Sequence, residues 1–376
     1  TGTPCRLLIT TRSTTLAGKV DAADVRLDVL SDEEGAALIA GRAGGSPGDP
    51  LYRQISRELG GHTLAVRIAA DQLANSYADN AADLLDLLMK GDNPLKHLKL
   101  SDEDKDDNVE KSLWVSYSAL ADDLRRRFRA LGALAPDSTF DRAALAALWG
   151  DAGPDDARAP LAALAGASLL EVLPGPANPG EPRYSQHRLL RAYARGLLAE
   201  AGELEGASAR HAAHYLEKMR VHNDSGIYPR MLPEVPQLRE AFMWAGERRN
   251  LDLMLALLAN AAELLRQFGY IDLRFQWADA CVKLAEISGD MNARGAARLR
   301  RGNAYRDLAT VQGEDRRARL LQALADYDAA LDLRRDVPLD KAQTLNNRAT
   351  VYRDLATVQG EDRRARLLQA LADYDA

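Results

Sequence analysis

His187 stands where an extended segment, 183–186, runs into a helix whose Leu189, Leu190, Tyr193, Leu197 and Leu198 recur at helical spacing. A histidine in that place has two readings. Its ring either hydrogen-bonds a backbone carbonyl as a satisfied, partly buried side chain, or faces an anion, because the amides at a helix N-terminus favour negative charge. Arg12, taken alone, reads as a solvated strand end. His211 and His214 lie three apart on one helix without a third ligand, and no Ser/His/Asp arrangement is evident. Phosphate binding has a demanding signature, G-x-x-x-x-G-K-[ST], and the chain lacks it. In Ala17-Gly18-Lys19-Val20 the first glycine would fall at Ser13, and no hydroxyl follows the lysine. No acidic strand that could hold magnesium precedes Arg6. ATP hydrolysis by this chain alone is therefore not expected.

The 376 residues are enough for two or three domains. A formal net charge of -6 argues against a general nucleic-acid binder, and the run Arg125-Arg126-Arg127 reads as a solvated helix face. Cys5 and Cys281 are too far apart in sequence to suggest a disulfide framework or a thiolate metal site. Reduced thiols and a cytoplasmic location are expected. The most apolar helix, 251–265, contains Asp252, Asn260 and Glu263, which is too polar and too short for a membrane span, and the first residues lack the pattern of a signal peptide.

The elements that must position these residues can be read in order. Residues 6–10 form a buried-strand pattern that needs neighbours, so the polypeptide is expected to be a fragment of a longer one. A second extended piece, 25–30, stops at Ser31-Asp32-Glu33-Glu34, a capping-box start. Helices are predicted over 33–42, 50–59, 63–74 and 81–89, with Gly60-Gly61 allowing a tight corner between the second and third. An acidic linker, 101–108, follows. Helices over 109–120, 122–134, 141–149 and 155–165 then lead to strands over 169–173 and 183–186 around a Pro/Gly turn, and a last helix starts at His187. Helices closed by a two-stranded hairpin describe a winged helix. Its would-be recognition helix opens Asp155-Asp156 and carries Pro160, so it offers little to DNA phosphates, and no direct contact with nucleic acid is expected.

From about residue 203 the pattern is helical throughout. The stretch 305–329 recurs residue for residue as 352–376, a period of 47. Leu320, Leu324, Tyr327 and Leu331 line one face of the second helix of the unit, and Leu345, Ala349, Tyr352 and Leu355 one face of the first. Gly313 and Gly360 are expected to close the first helices and Glu314-Asp315 or Glu361-Asp362 to open the second. Units with uncovered faces must stack on neighbours, which describes an α-solenoid. The last copy ends at the counterpart of Ala329, so the array is expected to be cut in mid-repeat and to self-associate through the face left open.

Four segments together resemble one family, the STAND signal-transduction ATPases of the bacterial NB-ARC type with a tetratricopeptide-repeat (TPR) sensor. Residues 7–12, ending Thr11-Arg12, look like its sensor 1 strand, whose arginine faces the nucleotide phosphates. Residues 59–65 look like its Gly-Leu-Pro-Leu segment beside the adenine, with Gly61, Thr63 and Leu64 at the matching positions. Residues 112–120 with Phe128-Arg129-Ala130-Leu131 look like the start of its winged-helix domain. Gln186-His187-Arg188-Leu189 looks like its Met-His-Asp segment, in which the histidine touches the β-phosphate of ADP in the resting state. Thr63 stands where the family has proline, and Arg188 where it has aspartate.

The resemblance implies a mainly α chain. It would comprise the end of an α/β nucleotide-binding domain (1–30), a helical subdomain (31–100), a winged helix (108–202) and a TPR-like superhelix (203–376). It also implies ADP or ATP as cofactor, with magnesium in the complete protein, bound near Thr11, Arg12, Gly61, Thr63, Leu64 and His187. A protein or peptide ligand would sit on the superhelix, with self-association in the active state and no membrane contact. Two other readings remain: a non-catalytic TPR scaffold, and the C-terminal part of a transcription regulator of the same architecture.

Overall fold

The computed structural model describes residues 28–74, 80–89, 117–167, 169–173, 182–225, 228–311, 315–333 and 338–376. The expected sensor strand with Thr11 and Arg12, the linker 101–108, most of the helix expected over 109–120, and Gly313-Glu314 lie outside the described residues. The protein is mainly helical. It divides into two compact units, Thr1–His214 and Tyr215–Ala376, and the division falls inside one long helix.

The first unit opens with α1 (Asp32–Ala43), α2 (Pro50–Glu58), α3 (Thr63–Ala74) and α4 (Ala81–Met89). The capping box is present. Ser31 Oγ accepts from the Glu34 amide at 3.2 Å, and the Glu34 carboxylate accepts from the Ser31 amide at 2.8 Å, satisfying two amides the helix leaves unpaired. Asp49 caps α2 ahead of a proline at its first position. Ile39, Ile55, Leu59, Val66 and Leu84 make the buried centre of this bundle.

Further along come α5 (Asp122–Ala130), a 3-10 turn (Leu131–Ala133), β1 (Thr139–Phe140), α6 (Arg142–Trp149), α7 (Arg158–Gly166), β2 (Glu171–Leu173), β3 (Arg183–Ser185) and α8 (Arg188–Glu200). The sheet has three strands in the order β1-β3-β2, all antiparallel, where a two-stranded hairpin was expected. β1 is two residues long, too short for any periodicity to show, and exists through its pairing: Phe140 lies opposite Tyr184, and Arg183 reaches Thr139 Oγ1 at 2.7 Å. α7 also starts later than expected, because 154–157 form turns.

The run Arg125-Arg126-Arg127 is largely neutralised by the fold. Arg125 donates to the carbonyls of Leu120 and Ser118, Arg126 pairs with Asp123, and Arg127 bridges Asp123 and Asp151 while lying 5.0 Å over Trp149. Arg129 forks onto Glu203, which holds its guanidinium pKa far above the usual value. Little of this basic charge is left to attract a polyanion.

α9 (Leu204–Ser225) straddles the division. The second unit continues through a 3-10 segment (Tyr228–Glu234), α10 (Val235–Glu247), α11 (Leu251–Gln267), α12 (Ile271–Ser288), α13 (Met291–Leu308), α14 (Arg316–Leu333), α15 (Pro338–Leu355) and α16 (Arg363–Asp375), each helix from α11 onward packing on the one before it. Of the predicted faces, Leu320, Leu324, Tyr327, Leu345, Ala349 and Leu355 are buried and Leu331 and Tyr352 half-buried; Leu320, Leu324, Tyr327 and Leu355 share one core with Leu299 and Val351.

Gly360 does not close the first helix of its unit. α15 ends at Leu355, where Thr357 Oγ1 takes the Asp354 carbonyl at 2.7 Å and the Val358 amide takes that of Leu355. Gly360 instead supplies a left-handed residue, φ 86°, to the following loop. Asp362 does cap α16.

A polar series runs through the same unit. Arg301 on α13 lies between Asp279 on α12 and Asp326 on α14, each at 2.8 Å, and Arg348 on α15 reaches Asp328 on α14 at 2.6 Å and Asp373 on α16 at 2.5 Å. Asp279, Asp326 and Asp373 follow one another at intervals of 47, as do Arg301 and Arg348, which places α12 in the same repeating series as α14 and α16.

Candidate functional site

His187 meets the Gly60-Gly61 corner between α2 and α3 at the start of α8, within the first unit. The corner needs both glycines. Gly60 and Gly61 have φ of 60° and 64°, a region that side chains with a Cβ rarely occupy. A Cβ on Gly61 would sit 2.1 Å from the Leu30 carbonyl oxygen, and one on Gly60 would sit 2.7 Å from His187 Nε2. The Leu30 amide closes the corner by donating to the Gly61 carbonyl at 2.9 Å.

His187 is the N-cap of α8. Its Nδ1 accepts from the Leu189 amide at 3.3 Å, and its Nε2 lies 2.9 Å from the Gly60 carbonyl oxygen. Those partners assign the neutral tautomer with the proton on Nε2: the carbonyl can only accept, and the amide can only donate. Of the two readings of this histidine, the structure shows the backbone-carbonyl bond. His62 does similar work at α3, its Nδ1 accepting from the Ala65 amide at 3.4 Å. The two imidazoles meet edge to face, 6.0 Å between centroids, so two helix N-termini converge here, each with its positive end and a histidine.

Arg188, the next residue, completes the clasp. One Nη pairs with Asp137 at 2.7 Å, while the other binds the Arg57 carbonyl and lies 3.4 Å from Glu58. A cation at the last carbonyls of α2 is favoured by the helix dipole, so the arginine anchors the corner from its negative end. Sequence reading noted Arg188 only as a departure. Glu58 just before the Gly-Gly corner was the available sign of an acidic helix end, but Asp137 is 51 residues away and carried no local signal.

Among the other expected site residues, Thr63 is exposed at the first position of α3, Leu64 follows it in the helix, and Gly61 is buried in the corner. Thr11 and Arg12 lie outside the described residues. His211 is buried on α9, and among the described residues no group of three His, Cys, Asp or Glu side chains could hold a metal ion. Burial pushes the Cys281 thiol up to about 12, so it stays protonated and unreactive. No helix among the described residues is long and apolar enough to cross a membrane.

The arrangement suits one kind of chemistry. An N–H on His187 and two helix N-termini could donate to an anion such as a phosphate, provided the Gly60 carbonyl gives up the histidine. No protein-family model matches this chain, and no curated protein matches it.

Proposed function

We propose that this chain is the regulatory portion of a nucleotide-dependent signalling switch of the NB-ARC type, with the second unit as its TPR-like sensor. The observation that carries the reading is the His187 bond to the Gly60 carbonyl, formed where two histidine-capped helix N-termini converge. In one state the Nε2–H is held by Gly60 and the corner is clamped by Arg188. In the other, His187 turns that proton to a phosphate oxygen and the clasp loosens. ADP, when bound, supplies the anion that makes the two states differ in energy, and a ligand can shift the equilibrium only through such a difference. Engagement of the helical array by a protein or peptide, with exchange to ATP, releases the molecule to self-associate.

Sedimentation velocity of the intact protein in ADP and then in ATP with magnesium tests this reading. A larger particle in ATP is expected. Identical sedimentation under both conditions would favour a second reading, a non-catalytic scaffold. That alternative draws support from the series of ion pairs that ties α12 to α16 into one binding platform.

A further inference from the structure

A cavity of about 280 Å³ opens in the first unit where α5, the end of α6, α8 and the start of α9 meet. Ala130, Trp149 and Leu198, each buried, give it an apolar side. Gly202 and Gly206 also line it and leave its space unfilled. A Cβ built on Gly202 would meet nothing within 4 Å, and one on Gly206 would meet only Nη1 of Arg210, at 3.5 Å.

The rest of the lining is charged: Arg126, Arg127, Arg210 and Glu203. Three of these four are already matched. Arg126 pairs with Asp123, Arg127 with Asp123 and Asp151, and Glu203 with Arg129. Arg210 differs. Its Nε donates at 2.8 Å to the Leu148 carbonyl, an acceptor that the last turn of α6 leaves open, while its two Nη groups have no hydrogen bond or ion pair among the described residues. The Nε bond fixes the plane of the guanidinium, so the Nη pair forms a fork of the shape that takes a carboxylate through two parallel bonds.

We propose that this cavity binds a small organic monocarboxylate with a compact apolar body, an aromatic or branched-chain acid. The carboxylate takes the Arg210 fork, and the apolar body lies against Trp149 and Leu198. One unmatched cation suits one negative charge. A phosphate dianion would bring a second charge into a cavity that Glu203 also lines, with no unpaired cation left there to meet it. The volume lies at the small end for ligand pockets, which fits a body of that size. The cavity shares no residue with the His187 junction, and the argument is independent of the nucleotide reading.

The test is isothermal titration calorimetry of the full chain with 3-phenylpropionate, 4-methylpentanoate and phenyl phosphate. Saturable binding of at least one of the two carboxylates is expected, one per chain, with a dissociation constant of about 1 mM or below. Arg210→Met keeps the cavity and removes the fork, and should weaken binding more than about tenfold, the scale of a lost charged hydrogen bond. Gly206→Leu keeps the fork and fills the cavity, and should abolish binding. Both positions are exposed on α9, so circular dichroism should show both variants folded. Three results would overturn the proposal. These are no saturable binding of either carboxylate, binding unchanged by Arg210→Met or by Gly206→Leu, or tighter binding of phenyl phosphate than of both carboxylates, which would make the cavity a phosphate site.

Discussion

His187 does two jobs with two ring nitrogens, and two substitutions can separate them. His187→Ala removes the N-cap acceptor, a loss of about 1 kcal/mol, and the bond to Gly60, about 1 kcal/mol more, for a total of about 2 kcal/mol. His187→Asn keeps a side-chain acceptor suited to the N-cap but is too short to reach Gly60, so it should lose only about 1 kcal/mol. Hydrogen exchange followed by mass spectrometry reads this locally, because opening of one segment is measured apart from the rest of the fold. In the first turn of α8, exchange should speed up roughly 30-fold for the alanine variant and roughly 5-fold for asparagine, as RT ln of those factors requires. At the Gly60-Gly61 corner the two variants should look alike, since both lose the same bond. Equal effects of the two variants on α8, or an unchanged corner, would refute the two-bond account of this residue.

Three further outcomes follow from the packing. Gly61→Ala forces a Cβ to within 2.1 Å of the Leu30 carbonyl at a left-handed position and should destabilise the first unit by about 2–4 kcal/mol in urea denaturation; a change below about 0.5 kcal/mol would contradict the geometry. Burial raises the Asp307 carboxyl pKa and lowers that of its partner Arg274, so desolvation outweighs their attraction. Arg274→Met alone should lose about 3–5 kcal/mol, whereas Arg274→Met with Asp307→Leu should be near neutral by the same denaturation assay. Arg366 and Arg317 hold the Glu361 carboxyl below its usual pKa of about 4.5. Its contribution is therefore present above that pH and lost as pH falls through the lowered value, and an acid titration of stability should be shallower in Arg317→Gln.

Where local chemistry decides structure, the sequence announced it. Ser31 with Glu34 made the capping box, Gly60-Gly61 made the corner, and 63–74 and 81–89 became helices with those bounds. What stayed hidden depends on distant partners. β1 has no period of its own and is defined by Tyr184 and Ser185, 44 and 46 residues after its own Phe140 and Thr139. The third member of the repeat, α12, matches α14 at the 47-residue offset in Leu273, Ala278, Asp279 and Leu284 against Leu320, Ala325, Asp326 and Leu331, with Trp277 and Ala280 keeping the apolar positions of Leu324 and Tyr327. So few identities do not announce a repeat, and the bridge from Arg301 to both Asp279 and Asp326 ties the two helices together. Gly360 misled for a physical reason: a left-handed glycine marks a sharp turn, but side-chain and backbone hydrogen bonds at Thr357 and Val358 had already ended α15. The place of His187 at the start of α8 was legible from the extended segment that runs into a helical period, whereas the clasp by Arg188 depended on Asp137 and the end of α2 coming together in space.

The central claim is that His187 trades the Gly60 carbonyl for the phosphate of a bound ADP. The most direct test is to isolate the intact protein from its source cells, denature it with acid, and identify the released nucleotide by chromatography, for the natural sequence and for His187→Ala. The account predicts ADP in stoichiometric amount from the natural protein and a marked loss from the variant. Absence of nucleotide from the natural protein, or the same ADP content in both, would contradict it.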